Sequence, residues 1–501
     1  MRSNLRGKRA RALPGLALAG LAVVVGGCNT DQVVAVTDPN NLTSAAVNSA
    51  GSTPALVQGA IFQFRGAYSG FGDDAFLTSS ALITDEFYWG DTFTTRQAAD
   101  QRNLQPTALG NVSDAAFNRL QTARVQARRA FAQVLRFSTA ATASADSATA
   151  ARMRTIEGYV YVTMSEGWCG SVPFSVVPDS GTIDPTQLKG GSPISTIAMN
   201  DTAIARFNDA LAFAPTNNLA KIGKARALLN EGRFADAAAV VATVPMTFVY
   251  LIEHSFNSSV EYNPIAALQQ NGRYGISNLE GGTTTTSAGA TIALRPDAAT
   301  PALSNATAAG LPFRAIADPR IPFEINPNKT GGTCFTGSVR CFLNDNYPTY
   351  AAAVPLASGV EARLIEAEAL YQTGQYDAML AKLNTLRTSA ASLTAGLYPG
   401  QKQVFTPATL AALPATAAAD ANTARATLFA ERAYWLFNTG HRQGDLRRLA
   451  RAPYNLATNK VFPSGPYFRV GTYGNDVAFP VPFNEANNPN FDPASCSTTT
   501  P

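Results

Sequence analysis

Apolar residues recur along much of this chain at the three-and-four spacing of helices that bury one face. Ser52–Tyr68 reads as a helix, and so does the stretch 113–136, which is rich in Ala, Gln and Arg. Ala150–Gly167 carries the strongest pattern, with Ile156, Tyr159, Val160 and Thr163 on one face. Ala81–Phe87 is apolar-periodic and runs into an aromatic, polar loop. Ser138–Ala148 is low in complexity and reads as a loop or a weak helix start. A last strong helix covers Thr423–Asn438, with Gly440 as its stop. Between residues 255 and 350 the helical period disappears while Gly, Thr, Pro and Asn rise. A stretch of that kind inside a helical protein forms functional loops or short strands. The tail after Pro453 is again loop-like.

The helices come in pairs. Ala203, Phe207, Ala210 and Pro215 resemble the closing part of the tetratricopeptide pattern. Ala237, Val241 and Val244 repeat it 34 residues after the first three, with Gly232 at the intervening turn and Phe234 opening the next helix. Small residues such as Ala203, Ala225 and Ala237 let antiparallel helices approach, while Phe207 and Phe234 fill the groove. A similar unit recurs over Glu361–Arg387, turning at Gly374. One hairpin cannot bury both its faces, so such units stack.

Composition narrows the function. At 501 residues, two or three lobes are expected. Apolar residues reach 46%, enough for a packed interior, while charged residues are only 15% against a usual ~25%. The net charge of +4 comes from Arg2, Arg6, Lys8, Arg9 and Arg11; without them 34 basic residues face 35 acidic ones. That balance argues against a nucleic-acid partner held by phosphate neutralisation. The basic stretch precedes a 13-residue apolar run, Leu13–Val25. The run is too short to span a bilayer, which takes ~20 residues, and fits a secretory signal. Val25-Gly26-Gly27-Cys28 resembles the bacterial lipobox, which implies cleavage before Cys28 and acyl chains upon it. Several such chains anchor a protein durably without spanning the membrane. Four cysteines remain, an even number in an exported chain. Cys334 and Cys341 flank a short Gly-containing loop, and Cys169 and Cys496 pair by elimination. With two histidines, neither beside a cysteine, disulfides are favoured over zinc, and no metal or cofactor is expected.

Ordered motifs then carry a family resemblance. Thr37-Asp38-Pro39-Asn40-Asn41-Leu42-Thr43 follows the anchor. Glu361–Leu370 precedes Leu383-Asn384 and Arg387; Glu431-Arg432 precedes Gly440-His441-Arg442 and Asp445-Leu446. Phe479-Pro480-Val481-Pro482, Glu485 and Asn488-Pro489 close the set, with Asp318-Pro319-Arg320 as a weaker match. Together these resemble the SusD/RagB-type nutrient-binding lipoproteins of the bacterial outer membrane, although the chain is richer in Ala, Thr and Cys. The resemblance implies a mainly α fold, in which tetratricopeptide-like hairpins form a right-handed superhelical scaffold with a loop-rich ligand face. It implies residues 1–27 as signal peptide, 28–254 as an N-terminal helical region, and 255–501 as a loop-rich and C-terminal helical region. It further implies non-catalytic capture of an oligosaccharide or other large nutrient at the cell surface, for a SusC-like TonB-dependent β-barrel transporter in the outer membrane. The rival readings are a surface glycan hydrolase and a tetratricopeptide adaptor for envelope proteins.

Glu431 and Arg432 with Arg442 and Asp445 read as structural clamps, and Arg387 and Glu366 as structural ion pairs. Glycan hydrolysis needs two carboxylates ~5–10 Å apart, and no motif supplies them. Sugar C–H faces stack on aromatic rings, so a glycan site needs exposed rings amid polar groups. Phe87-Tyr88-Trp89-Gly90-Asp91-Thr92-Phe93 with Arg96 is the first such cluster, so Tyr88, Trp89, Asp91, Phe93 and Arg96 are candidate ligand contacts. Tyr262, Asn263, Arg273 and Tyr274 form the second. Trp168 and Trp435 read as core.

Overall fold

The computed structural model describes residues 48–70, 75–105, 110–175, 190–298 and 306–501, all in one unit from Asn48 to Pro501. The signal, Cys28 and the 37–43 leader lie outside the described residues. Fourteen α-helices among those residues form the scaffold. They are α1 Thr53–Ser69, α2 Phe76–Ile83, α3 Thr94–Asp100, α4 Asp114–Phe137, α5 Ala143–Gly167, α6 Thr196–Phe213 and α7 Asn218–Asn230, followed by α8 Phe234–Val241, α9 Pro264–Gln270, α10 Gly359–Gln372, α11 Tyr376–Thr388, α12 Ala390–Leu397, α13 Ala421–Trp435 and α14 Arg442–Ala450. Side-chain caps start several of them: Ser195, Asn217, Ser358 and Asp420 each accept a backbone N–H of the first turn. Among the described residues no helix is long and apolar enough to cross a membrane.

Neighbouring helices pack in sequence: α1 on α4, α4 on α5, α5 on α6, α6 on α7, α7 on α8, α8 on α10, and α10 on α11 and α13. The fold is thus mainly α and tetratricopeptide-like. The expected helical pairs turn at Gly232 and Gly374, each with φ +74°, a conformation in which any other residue is strained. Phe207 is the wedge of the first repeat. Its ring lies so close to α5 and α7 that a Cβ on Gly158 would come within 2.7 Å of it, and one on Gly223 within 2.3 Å. Helix approach here depends on glycine as well as on the alanines.

Several boundaries differ from the periodic reading. Helix α5 starts at Ala143, inside the low-complexity run, because a 25-residue helix buried along its second half propagates through weak helix formers. The apolar stretch 81–87 divides between the end of α2 and strand β1, Phe87–Trp89. α14 is a helix that periodicity missed. The loop-rich middle holds α9 and short strands: β4 Val249–Ile252, β5 Tyr274–Ile276, β6 Thr283–Thr285, β7 Thr291–Ala293, β8 Ala306–Thr307, β9 Phe323–Ile325, β10 Phe342–Asn344 and β11 Val354–Ser358. With β2 Val172–Pro173 and β3 Pro193–Ile194, they pair antiparallel as β1·β5, β2·β3, β4·β11, β9·β10 and β7·β6·β8. Trp168 and Trp435 are core.

The motif charges are structural. Arg432 holds Asp445 through two 2.8 Å hydrogen bonds, and Arg448 bridges Asp445 and Glu368, 2.9 Å from each. Glu431 receives Arg320 and Arg387, and Arg320 also binds Asp318. Arg442 reaches Asp85 rather than its motif neighbours. Glu366 pairs with Arg363 and Lys382, not with Arg387. Buried charges are tolerated when a counter-charge or hydrogen-bond acceptors compensate them in this way. Both expected disulfides are present, Cys169–Cys496 and Cys334–Cys341.

Candidate ligand-binding face

The face is assembled where β1 and β5 end. The two strands pair with Trp89 opposite Tyr274. One residue on, the Gly90 N–H donates to the Arg273 carbonyl at 2.8 Å. The Cys334–Cys341 loop lies across this junction: Phe335 N–H donates to the Gly272 carbonyl at 2.7 Å and Thr336 N–H to the Gly90 carbonyl at 3.1 Å. A Cβ on residue 90 would stand 2.4 Å from Cys334 Sγ, so glycine permits the loop to seat. From the tail, Arg469 Nη2 donates to the Trp89 carbonyl and to Thr336 Oγ1, both at 3.3 Å.

This lacing brings rings and cations together. Phe93 is 50% exposed and Phe335 43%. The Arg273 guanidinium lies 4.0 Å from the Phe335 centroid and 5.6 Å from that of Phe93. Lys329 stands 5.3 Å over Phe335, Arg96 4.3 Å over Phe93, and Arg469 4.3 Å over Trp89. Cations over ring faces gain ~0.5–1 kcal/mol at exposed sites. Asp91, fully buried, receives both Arg96 and Arg273 and fixes their direction.

Beneath the platform lies a buried acid pair. Asp100 accepts the Trp89 N–H at 3.0 Å and the Tyr467 hydroxyl, and Glu280 accepts the Tyr473 hydroxyl at 3.0 Å. Burial lifts Asp100 to about 6 despite hydrogen bonds that hold it down. Burial, then the neighbouring Asp100 charge, pushes Glu280 well above the carboxylate range. A protonated Glu280 can therefore stay in the interior and hold the tail segment that carries Arg469.

A second set of rings stands at the other end of α9. Tyr262 stacks on Tyr350 with centroids 4.3 Å apart and planes 13° apart, and Phe256, 62% exposed, lies 6.0 Å from Tyr350. Asn263 begins α9 by accepting the Ala266 N–H at 3.0 Å and donating to the Ala352 carbonyl at 2.7 Å. The two aromatic sets are thus separated by one short helix, ~10 Å long at 1.5 Å per residue. Along it opens a polar cavity of about 390 Å³, lined by Gln270, Asn328, Asp345, Pro348 and Lys402 among others. Larger hollows, about 700 Å³ beside α8, α10 and α11, about 580 Å³ between α4, α5 and α6, and about 540 Å³ under the C-terminal tail, each lie away from the two ring sets at the ends of α9.

The structure brings Phe93 and Arg273 together at one end of this face and puts Tyr262 at the other. It withdraws the rest. Tyr88 and Tyr274 are fully buried, Asn263 is a buried cap, Asp91 is a buried counter-ion, Arg96 keeps 4% exposure behind Phe93, and Trp89 keeps only 6% under Arg469. The direct ligand contact expected of these six is corrected to a supporting place. The disulfide loop and the tail cover the β1 side, and the 350–352 segment covers Asn263. Phe335, Lys329, Arg469, Phe256 and Tyr350 went unrecognised in the sequence; only Phe335, an aromatic inside a covalently closed polar loop, carried a local signal. Among the described residues no group of three or more His, Cys, Asp or Glu side chains could hold a metal ion.

Comparison with known proteins places the fold. Residues 199–249 match the tetratricopeptide repeat family. No curated protein matches the sequence. Surface glycan-binding protein A from Bacteroides uniformis is 11% identical, covers 89% of this chain and 99% of its own, and superposes with a TM-score of 0.58. A SusD-like carbohydrate binding protein from Bacteroides fragilis is 12% identical over 89% and 99%, at 0.57. A SusD/RagB family protein from Bacteroides thetaiotaomicron is 11% identical over 88% and 96%, at 0.56. The chain has the SusD/RagB fold.

Proposed function

We propose that this protein is a SusD/RagB-type surface lipoprotein that captures an oligosaccharide without altering it. It would pass the ligand to a TonB-dependent β-barrel transporter in the outer membrane. The observation that carries this reading is the pair of exposed aromatic sets flanking a polar cavity along α9. Rings present flat apolar surface to sugar C–H faces, and Gln270 and Asn328 offer amides to hydroxyls. The fold shared with proteins described as carbohydrate binding supports the same reading. In a calorimetric screen of oligosaccharides, Tyr350→Ala is expected to weaken binding about tenfold, ~1.4 kcal/mol, and to leave the thermal midpoint nearly unchanged. Equal affinity in the variant would remove the α9 face from the proposal. Release of new reducing ends from any bound oligosaccharide would replace capture with hydrolysis.

Anchoring is part of the same proposal. Lipid on Cys28 would hold the protein at the membrane. Cys28→Ala is expected to shift the protein from the membrane fraction to the soluble envelope fraction. Undiminished membrane retention would defeat the lipid anchor.

A further inference from the structure

We propose that the ligand is an acidic oligosaccharide whose carboxylate or sulfate is held at the Phe93–Phe335 end of the face. This rests on the capture reading and adds the chemical class of the ligand.

The argument begins with unmatched charge. Elsewhere several buried arginines meet a carboxylate, Arg226 with Glu166, Arg320 with Glu431, Arg442 with Asp85 and Arg448 with Glu368, while Arg102, Arg314 and Arg447 are met by backbone carbonyls. At the platform the balance fails. Arg273 reaches Asp91, a carboxylate that Arg96 also holds. Lys329 and Arg469 form no ion pair with any described residue; each lies over a ring. Arg469 Nε is buried with no hydrogen-bond partner. Asp100 and Glu280 beneath are fully buried and engaged by Tyr467 and Tyr473, and the Arg469 charge acts on Asp100 from above. Asp297, near the disulfide loop, is already held by Arg295. Lys329 is exposed, and Arg273 and Arg469 are partly exposed, so the platform presents positive charge beside its rings in a chain whose basic and acidic residues otherwise nearly cancel.

The geometry suits an anionic sugar. A guanidinium is weakly hydrated and offers paired donors to a carboxylate or sulfate. Phe93 and Phe335 beside Arg273 present ring surface to the pyranose that bears the acid. The excess is confined to one end. Along α9, Glu324 pairs with Lys402, and Asp345 adds a further carboxyl. The acidic unit thus belongs over Phe93 and Phe335, with uncharged units running toward Tyr262 and Tyr350.

The test titrates the full mature chain with oligogalacturonides bearing free carboxylates, the same oligomers fully methyl-esterified, heparin-derived oligosaccharides, and neutral xylo- and cello-oligosaccharides. The expected result is that one acidic probe binds at least about tenfold tighter than the neutral probes. Its affinity should fall as salt shortens the Debye length from ~10 Å at 0.1 M to ~3 Å at 1 M. Lys329→Glu, at an exposed position, should weaken it about tenfold and leave the thermal midpoint unchanged; Arg469→Gln should weaken it as much, with a lower midpoint because its hydrogen bonds to Trp89 and Thr336 are lost. Preference for oligogalacturonide over its ester identifies a carboxylate; preference for the heparin fragments identifies a sulfate. Neutral probes binding as tightly as acidic ones, or acidic binding indifferent to both substitutions, would overturn the proposal and leave capture standing. Failure of every oligosaccharide to bind the folded protein would overturn capture as well.

Discussion

Asp445→Ala is expected to lower unfolding stability by ~3–5 kcal/mol, among the largest effects of any single substitution here. Asp445 lies between Arg432 and Arg448, and all three are almost wholly buried. Removing the carboxylate leaves two guanidiniums facing one another over Glu368 alone, 3.6 Å from Arg432 and 2.9 Å from Arg448. Burial by itself would raise the Asp445 carboxyl; the two guanidiniums overcome it and hold the group well below the usual range. Because the folded value is depressed, the stability it contributes is complete above the unfolded value of ~3.9 and is lost as pH falls through the folded value. The gap between wild type and variant should therefore be full at neutral pH and narrow in acid. Urea denaturation at two pH values measures it; a loss under ~1 kcal/mol at neutral pH would show that Glu368 alone can hold both arginines.

The Cys169→Ser/Cys496→Ser double variant is expected to lose ~2–5 kcal/mol and to keep its fold. The bridge closes a loop of 327 residues, so its main effect is on the entropy of the unfolded chain. In the folded state the tail is held without it. Cys169 N–H donates to the Phe479 carbonyl at 3.0 Å, Phe479 N–H donates to the Gly167 carbonyl at 2.8 Å, and the Phe479 ring lies 5.6 Å from that of Trp168. The thermal midpoint should fall while near-ultraviolet circular dichroism stays that of the wild type. Reductant should lower the wild-type midpoint and leave that of the double variant almost unmoved, the remaining Cys334–Cys341 loop spanning only 7 residues. A changed spectrum would mean that the bridge positions the tail as well.

How legible the site was can be judged at particular residues. Phe93 and Arg273 stood out because rings amid charges are conspicuous in any sequence, and the fold leaves both at the surface. Trp89 was placed on the ligand side by the same rule, yet the fold buries it. Nothing local distinguishes it from Phe93; what differs is that Arg469, from a segment 380 residues away, lies over its ring. Tyr350 joins Tyr262 across a shorter but still long gap in sequence and was invisible for the same reason.

The helical pairs, the turns at Gly232 and Gly374, the core tryptophans and the partners of the cysteines were determined by the sequence alone. Each depends on spacing within a turn or a hairpin, or on a count of few possibilities. The tertiary structure decided α14 and the make-up of the candidate ligand face. Helix α14, Arg-Gln-Gly-Asp-Leu-Arg-Arg-Leu-Ala, has no apolar stripe and is nonetheless buried. Arg442 finds Asp85, Arg448 finds Glu368, and Arg447 donates to the carbonyls of Ser165, Glu166 and Trp168 at the end of α5. A charged side chain is inside or outside according to whether a counter-charge or a set of acceptor carbonyls arrives from elsewhere, and an aromatic one according to whether another segment covers it. Both are facts of long-range assembly, which hydrophobic spacing along the chain does not encode.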